Sequence, residues 1–144
     1  MSETVVQSVV QGVLDTSALI DLADLDPASL PDEALITAIT LAELSVGPHV
    51  ATSERERAAR QAHLQQAEAD FDPLPFDAAA ARAFGRVASS LRASGRKPKA
   101  RAYDALIAAT ALAGNLPVYT ANTRDFEGIE GLTVHEVRRA APEE

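Results

Sequence analysis

Short apolar segments with strand character alternate along this chain with longer segments of helical periodicity. A valine-rich run from residue 5 ends in Gly12-Val13-Leu14, and residues 34–37 and 118–120 are similarly apolar. Strands that are separated by helices need crossover connections, which favour parallel pairing. We therefore expect an α/β fold with three α/β/α layers and a mostly parallel central sheet of about five strands.

The pattern also gives approximate boundaries for the elements. It predicts strands at residues 5–15, 34–37, 71–76, 118–120 and 132–137. It predicts helices at residues 18–25, from about 40, at 52–70, from 78 to about 95, and at 101–113. Prolines weaken the third strand, and Asp77 is the expected N-cap of the helix that follows it. Gly114-Asn115 stops the last helix, and residues 138–144 are expected to form a loose tail.

The composition limits the class of protein. A chain of 144 residues has the size of one domain, so we expect a single domain from residue 1 to 144. It has no cysteine, which excludes disulfides, thiolate metal sites and cysteine nucleophiles. The N-terminal MSETVVQSVV lacks the pattern of a secretory signal, and no apolar run is long enough to span a bilayer. We expect a cytoplasmic protein with no membrane partner.

Four carboxylates stand out by their positions, namely Asp15, Glu43, Asp104 and Asp125. Three of them lie just beyond a predicted strand end, where open parallel sheets carry their sites. Each also has a simple structural explanation as a helix cap or as an acid in a first turn. Thr40 and Glu43, for example, match a capping box.

Asp104 is the hardest of the four to explain structurally. Its neighbours at one-turn spacing are Ala100, Ile107, Ala108 and Ala111, so its side chain projects from an apolar face. If the sheet gathers all four acids, each pair at 4 Å repels by about 4 kcal/mol at an effective dielectric near 20. Such a cluster needs protons or cations, and its oxygen ligands suit Mg²⁺ or Mn²⁺. These ions activate water and neutralise charge on a phosphoryl group, which points to phosphodiester cleavage.

Four segments carry a resemblance to a known family: VLDTSALIDL, ITLAELSVG, RAYDALIAATAL and TANTRDFEGIEGL. They resemble, in order, the signature blocks of PIN-domain nucleases, and the similarity runs from about residue 13 to residue 137. The family binds one or two Mg²⁺ or Mn²⁺ ions and hydrolyses RNA. The resemblance therefore implies that Asp15, Glu43 and Asp104 are catalytic metal ligands, with Asp125 as the fourth acid. It leaves open whether Asn122, in the same turn, is the better fourth residue.

The resemblance also implies supporting residues and partners. Thr16, Ser17 and Thr120 match small polar positions that orient the ligands or the attacking water, although turn and cap hydroxyls explain them equally well. Within this family, the sequence closely resembles the VapC-type toxins of toxin–antitoxin pairs. Those proteins are commonly dimeric, and a cognate VapB-type antitoxin inhibits them by covering the site with its C-terminal segment. The resemblance thus implies a homodimer, an antitoxin partner and an RNA substrate.

The net charge of −8 argues against a general nucleic-acid binder. One basic segment answers this objection, because five of the 13 lysines and arginines lie immediately before or at the start of the helix that carries Asp104. We predict that this segment contacts RNA, with a solvated loop as the alternative explanation. Its residues are Arg92, Arg96, Lys97, Lys99 and Arg101.

Other protein classes fit the sequence less well than a nuclease does. A phosphatase of the haloacid dehalogenase type needs a second aspartate where this chain has Ser17, and the acids and lysine of a receiver domain are missing. A PIN-like module without activity, kept for binding or as a scaffold, remains an alternative. So does a housekeeping PIN nuclease outside any toxin–antitoxin pair.

Overall fold

The computed structural model describes residues 8–97 and 101–142 of the chain. Within these residues the strands form one parallel four-stranded sheet in the order β2-β1-β3-β4. The strands are β1 (Gln11–Leu14), β2 (Glu33–Leu35), β3 (Val118–Thr120) and β4 (Val134–Glu136). The α-helices are α1 (Thr16–Ile20), α2 (Ala38–Val46), α3 (Glu54–Asp70), α4 (Ala78–Ala93) and α5 (Ala102–Ala113). The predicted α/β fold with a parallel sheet is therefore confirmed.

The prediction of about five strands is wrong, because residues 71–76 do not form one. Leu74 makes a single parallel bridge with Thr37, through bonds of its N–H to the carbonyl of Ile36 and of its carbonyl to the N–H of Ala38. Pro73 and Pro75 flank it and have no N–H to donate. The pairing therefore stops at Leu74 and does not continue into a strand ladder on either side.

The side chains of the two central strands alternate between two cores, one on each face of the sheet. Val13 and Val118 point into a core that is completed by α4 and α5. Leu14 and Tyr119 point into the other core, with residues of α1, α2 and α3. This alternation has the period of a pleated strand, and it produces the three predicted layers.

Two helix starts differ from the predicted ones. α1 begins at Thr16 and ends at Ile20, and a 3₁₀ turn over Leu22–Asp24 replaces the rest of the predicted helix. α2 begins at Ala38, because the side chain of Thr37 caps it by accepting a hydrogen bond from the N–H of Thr40. Glu43 therefore lies in the second turn of α2, and the capping box with Thr40 does not form. Asp77, in contrast, caps α4 as predicted.

The start of the C-terminal segment is attached to the region that follows α1. The N–H of Ala140 donates to the carbonyl of Asp24 at 2.9 Å, and Leu25 pairs with Arg139 in an antiparallel bridge. Arg138 forms an ion pair with Asp26 at 3.2 Å. Residues 138–140, expected to belong to a loose tail, are thus held by hydrogen bonds.

No helix within residues 8–97 and 101–142 has the length and apolar character needed to cross a bilayer.

We predict that Gly12→Ala destabilises the protein. A β-carbon at Gly12 would lie 2.3 Å from Cε1 of Tyr119 and 3.1 Å from Cβ of Pro31, because the tyrosine ring lies across β1. Overpacking of this kind costs about 1–3 kcal/mol, which urea denaturation followed by circular dichroism would measure.

Gly85→Ala is the matched control. Gly85 is exposed within α4, and a β-carbon there would meet no atom within 4 Å. Alanine is expected to stabilise this helix by about 0.5–1 kcal/mol. Equal stability of the two alanine variants would contradict the packing of Tyr119 against Gly12.

Candidate active site

Asp15 lies at the carboxyl end of β1, where it both caps α1 and contacts the neighbouring strand. Its Oδ1 accepts a hydrogen bond from the N–H of Ala18 at 2.9 Å, and its Oδ2 accepts one from the hydroxyl of Thr120 at 2.6 Å. Ser17 donates to the same carboxylate at 3.2 Å. The side chain is buried, with the residue 3% exposed. The capping explanation for Asp15 is therefore correct, but the cap faces the other acids.

Thr120 has a fixed hydroxyl direction. It accepts a hydrogen bond from the N–H of Asn122 at 3.0 Å, so its single proton is free for Asp15. Thr120, predicted to orient a ligand residue, thus contacts Asp15 directly. Asn122 contributes its backbone to the site, and its side chain makes no capping bond to the 3₁₀ turn Thr123–Phe126.

Glu43 is held by a second chain of hydroxyl groups. Thr16, the first residue of α1, donates to Oε1 of Glu43 at 2.7 Å. The hydroxyl of Thr40 lies 3.0 Å from that of Thr16. Since the proton of Thr16 is used on Glu43, Thr40 is the donor in this second bond. Thr40 is fully buried one turn before Glu43, and sequence reasoning considered it only as a cap.

Asp104 and Asp125 complete the acidic group from the other side of the sheet's central strands. Asp104 lies in the first turn of α5, and Asp125 lies in the 3₁₀ turn that follows β3. Arg101, the N-cap residue of α5, forms an ion pair with Oδ1 of Asp125. Both side chains of this pair are partly buried, with 36% and 25% of their surfaces exposed.

The electrostatics show that the four acids share one region. Burial raises the pKa of Asp104 to about 7, and repulsion from Asp125, Asp15 and Glu43 adds to this rise. Burial also raises the pKa of Asp15, against the hydrogen bonds that it accepts, and Asp125 raises it further. The pKa of Glu43 is raised by burial and by Asp15. Asp15, Glu43 and Asp104 each respond to the charge of at least one other acid, and Asp125 acts on Asp15 and Asp104, so the four predicted residues lie near one another.

The donor set fits a hard divalent cation in its chemistry. Its members are carboxylates, the ligands that Mg²⁺ and Mn²⁺ prefer, and a cation would relieve their repulsion. In the part of the chain that the structure describes, no three of these side chains are gathered around one point as a ready coordination sphere. Hydroxyl groups hold Asp15 and Glu43 instead, and Arg101 holds Asp125.

The predicted RNA-binding residues fall into two groups. Arg92, in the last turn of α4, and Lys97 are exposed. Arg96 and Arg101 instead contact the turn after β3, where Arg96 pairs with Glu127 at 3.0 Å and Arg101 pairs with Asp125. Lys99 lies outside the described residues. The basic segment therefore adjoins the acidic group through Arg96 and Arg101.

We predict that Asp104→Asn stabilises the cation-free protein at neutral and higher pH. An acid whose pKa rises on folding, here from 3.8 to about 7, costs the folded state stability as the pH rises through that interval. The gain for the variant is absent near pH 4 and complete above pH 7. After allowance for solvent screening it amounts to about 1–2 kcal/mol.

Thermal unfolding in EDTA at several pH values would measure this difference. Asp72→Asn, at an exposed position, is the control for the loss of one carboxylate. The same profile for wild type and Asp104→Asn would contradict the repulsion among the acids.

Comparisons with known proteins identify the family of the chain. The PIN domain family matches residues 12–132 of the chain. The chain is 41% identical over 131 residues to the ribonuclease VapC5 of Mycobacterium tuberculosis, covering 89% of this chain and 94% of that protein. It is 30% identical over 132 residues to the tRNA(fMet)-specific endonuclease VapC of Shigella flexneri, covering 86% and 96%.

A comparison with solved structures supports the same family. The fold is similar to that in the crystal structure of VapBC-5 from Mycobacterium tuberculosis, a member of the VapBC family of toxin–antitoxin systems. The TM-score is 0.75 at 40% identity, and the match covers 87% of this chain and 97% of that one. The chain therefore belongs to the PIN-domain family and, within it, to the VapC type.

Proposed function

We propose that this protein is an endoribonuclease that depends on Mg²⁺ or Mn²⁺ and acts as the toxin of a toxin–antitoxin pair. The observation that carries the proposal is the grouping of four acids from distant parts of the chain, where burial, with added repulsion from the other three acids, raises the pKa of Asp104 to about 7. A fold with no use for this charge would gain stability by losing it. The relatives that are named ribonucleases support the same conclusion.

In this proposal Asp15, Glu43 and Asp104 hold the cation, and Asp125 is the fourth acid. When bound there, a divalent ion lowers the pKa of a water molecule and neutralises charge on the phosphoryl group. Thr120 and Ser17 orient the carboxylate of Asp15, because each donates a hydrogen bond to it. Thr16 does the same for Glu43. These contacts fix the carboxylates before substrate arrives, which reduces the reorganisation needed for hydrolysis.

The RNA reaches the site past the basic segment. Arg92 and Lys97 are exposed and free to contact phosphates, and such contacts offset the overall negative charge. We extend the proposed contact surface to Lys99, which lies outside the described residues. The naming of one relative as a tRNA(fMet)-specific endonuclease supports RNA as the substrate class.

We also propose a VapB-type antitoxin as partner, together with a homodimer of this chain. The solved relative belongs to the VapBC toxin–antitoxin systems, which supports the antitoxin. An acidic site in a protein of net charge −8 suits a basic segment of that partner. Co-purification with the neighbouring gene product and light scattering of the free chain would test these two assemblies separately.

We predict that Asp15→Asn abolishes cleavage without unfolding the protein. Asparagine caps a helix as well as aspartate does, so α1 keeps its N-cap while the site loses a charged ligand. The expected loss is at least about 100-fold, as for other groups that stabilise transition-state charge. Incubation of each purified protein with total bacterial RNA and Mn²⁺, followed by mapping of new 5′ ends, would measure the loss of cleavage.

Asp72→Asn, an exposed position outside the acidic group, is the control for the change in net charge. Equal cleavage by wild type and Asp15→Asn would contradict the role of Asp15, and no cleavage by the folded wild type would contradict the enzyme assignment and favour a silent binding module.

We predict that Thr40→Val slows cleavage and that Thr40→Ser restores it. Valine keeps the buried volume but cannot donate to Thr16, which then holds Glu43 less firmly. One hydrogen bond contributes about 0.5–1.5 kcal/mol, which corresponds to a loss of roughly 2–10-fold in rate. Thr110→Val is the matched control, because Thr110 is also buried in a helix and donates only to the carbonyl of Leu106. An equal loss in both valine variants would contradict the role of Thr40.

A further inference from the structure

The acids of the site differ in what satisfies them. Asp15 accepts hydrogen bonds from hydroxyl and amide groups, and Glu43 accepts one from a hydroxyl, and within residues 8–97 and 101–142 neither carboxylate forms an ion pair. Asp125 is paired with a full positive charge, the guanidinium of Arg101. This contact links the start of α5 to the turn after β3, the two segments that carry Asp104 and Asp125.

We propose that Arg101 is a built-in counter-ion that competes with the divalent cation for Asp125. In the cation-free protein Arg101 holds this carboxylate, and it must release Asp125 before the carboxylate can serve a metal ion. The inference rests on the metal site of the proposed function, and it adds a residue that sets how tightly the ion binds.

The guanidinium of Arg101 and a divalent ion would compete for one carboxylate. Arg101 occupies Oδ1 of Asp125, and a divalent ion on the same carboxylate would lie close to the guanidinium and repel it. The pair is also easy to open, since both side chains are partly exposed and solvent screens their attraction. A long arginine side chain can turn away without any movement of α5.

Release of Arg101 has a consequence for the substrate. Its backbone stays at the N-cap of α5, one turn before Asp104, so the freed guanidinium remains beside the acids. There it can bind a phosphate of the RNA, because guanidinium groups bind phosphates through paired hydrogen bonds. The prediction that Arg101 contacts RNA and its observed pairing with Asp125 then describe two states of one residue.

The test is a measurement of Mn²⁺ affinity for the purified full chain by isothermal titration calorimetry, without RNA. Arg101→Gln is expected to bind Mn²⁺ about 3–10-fold more tightly than wild type, because the competitor for Asp125 is gone. Arg101→Lys keeps a cation at this position and is expected to stay within about twofold of wild type. Thermal unfolding of each variant confirms that it is folded.

A double-mutant cycle separates direct competition from a general effect of charge. In the Asp125→Asn background, Arg101→Gln is expected to change Mn²⁺ affinity by less than about twofold, because the contested carboxylate is absent and only the charge of Arg101 near Asp104 is lost. Arg96→Gln removes the same charge from a neighbouring pair with Glu127 and is expected to change affinity less than Arg101→Gln does.

Each other result overturns the inference. Tighter binding by Arg101→Gln in both backgrounds would mean that Arg101 acts through the general field alone. Unchanged or weaker binding in the wild-type background would mean that Arg101 does not compete. Wild type that is folded yet shows no saturable Mn²⁺ binding would overturn the metal site of the proposed function as well.

Discussion

The pairing of β1 with β3 is the contact on which the site depends. Its register sets Leu14 opposite Tyr119. The residues that follow these two, Asp15 and Thr120, therefore lie next to each other. Their hydrogen bond of 2.6 Å joins residues that are 105 positions apart. Because the strand pair has apolar cores on both faces, the position of Asp15 is fixed by burial as well as by backbone hydrogen bonds.

Around that contact the fold has to tolerate charges that repel one another. Two hydrogen-bond chains with a fixed direction help, one through Thr120 to Asp15 and one from Thr40 through Thr16 to Glu43. They stabilise the charged carboxylates without adding positive charge, so the demand for a cation persists. The site thus carries an electrostatic cost in the free protein that a bound cation would remove, as is common where function and stability conflict.

Sequence reasoning succeeded where the signal was local or where a family pattern covered it. The N-cap at Asp77 and the parallel α/β architecture could be predicted from spacing alone. The motifs pointed to the four acids, but no spacing could show that Thr37 rather than Thr40 caps α2. The same holds for the pairing of Arg101 with Asp125, since a basic segment looks alike whether it meets RNA or an acid 24 residues away. The prediction of a strand at 71–76 depended on how strongly two prolines would disrupt strand pairing, and only the structure, with its single bridge, shows this.

The attachment of residues 138–140 has a mechanical meaning for the segment after α1. Arg138 and Arg139 clamp a loop that carries Asp21, Asp24 and Asp26, and the clamp lies directly after the edge strand β4. The C-terminal end of α1, the helix that Asp15 caps, is therefore held by the segment that follows β4. Exposed ion pairs weaken as ionic strength rises, whereas the backbone bond from Ala140 to Asp24 does not depend on charge. High salt would accordingly weaken the ion pairs that hold the C-terminal segment to this loop, but it would leave the backbone hydrogen bond in place.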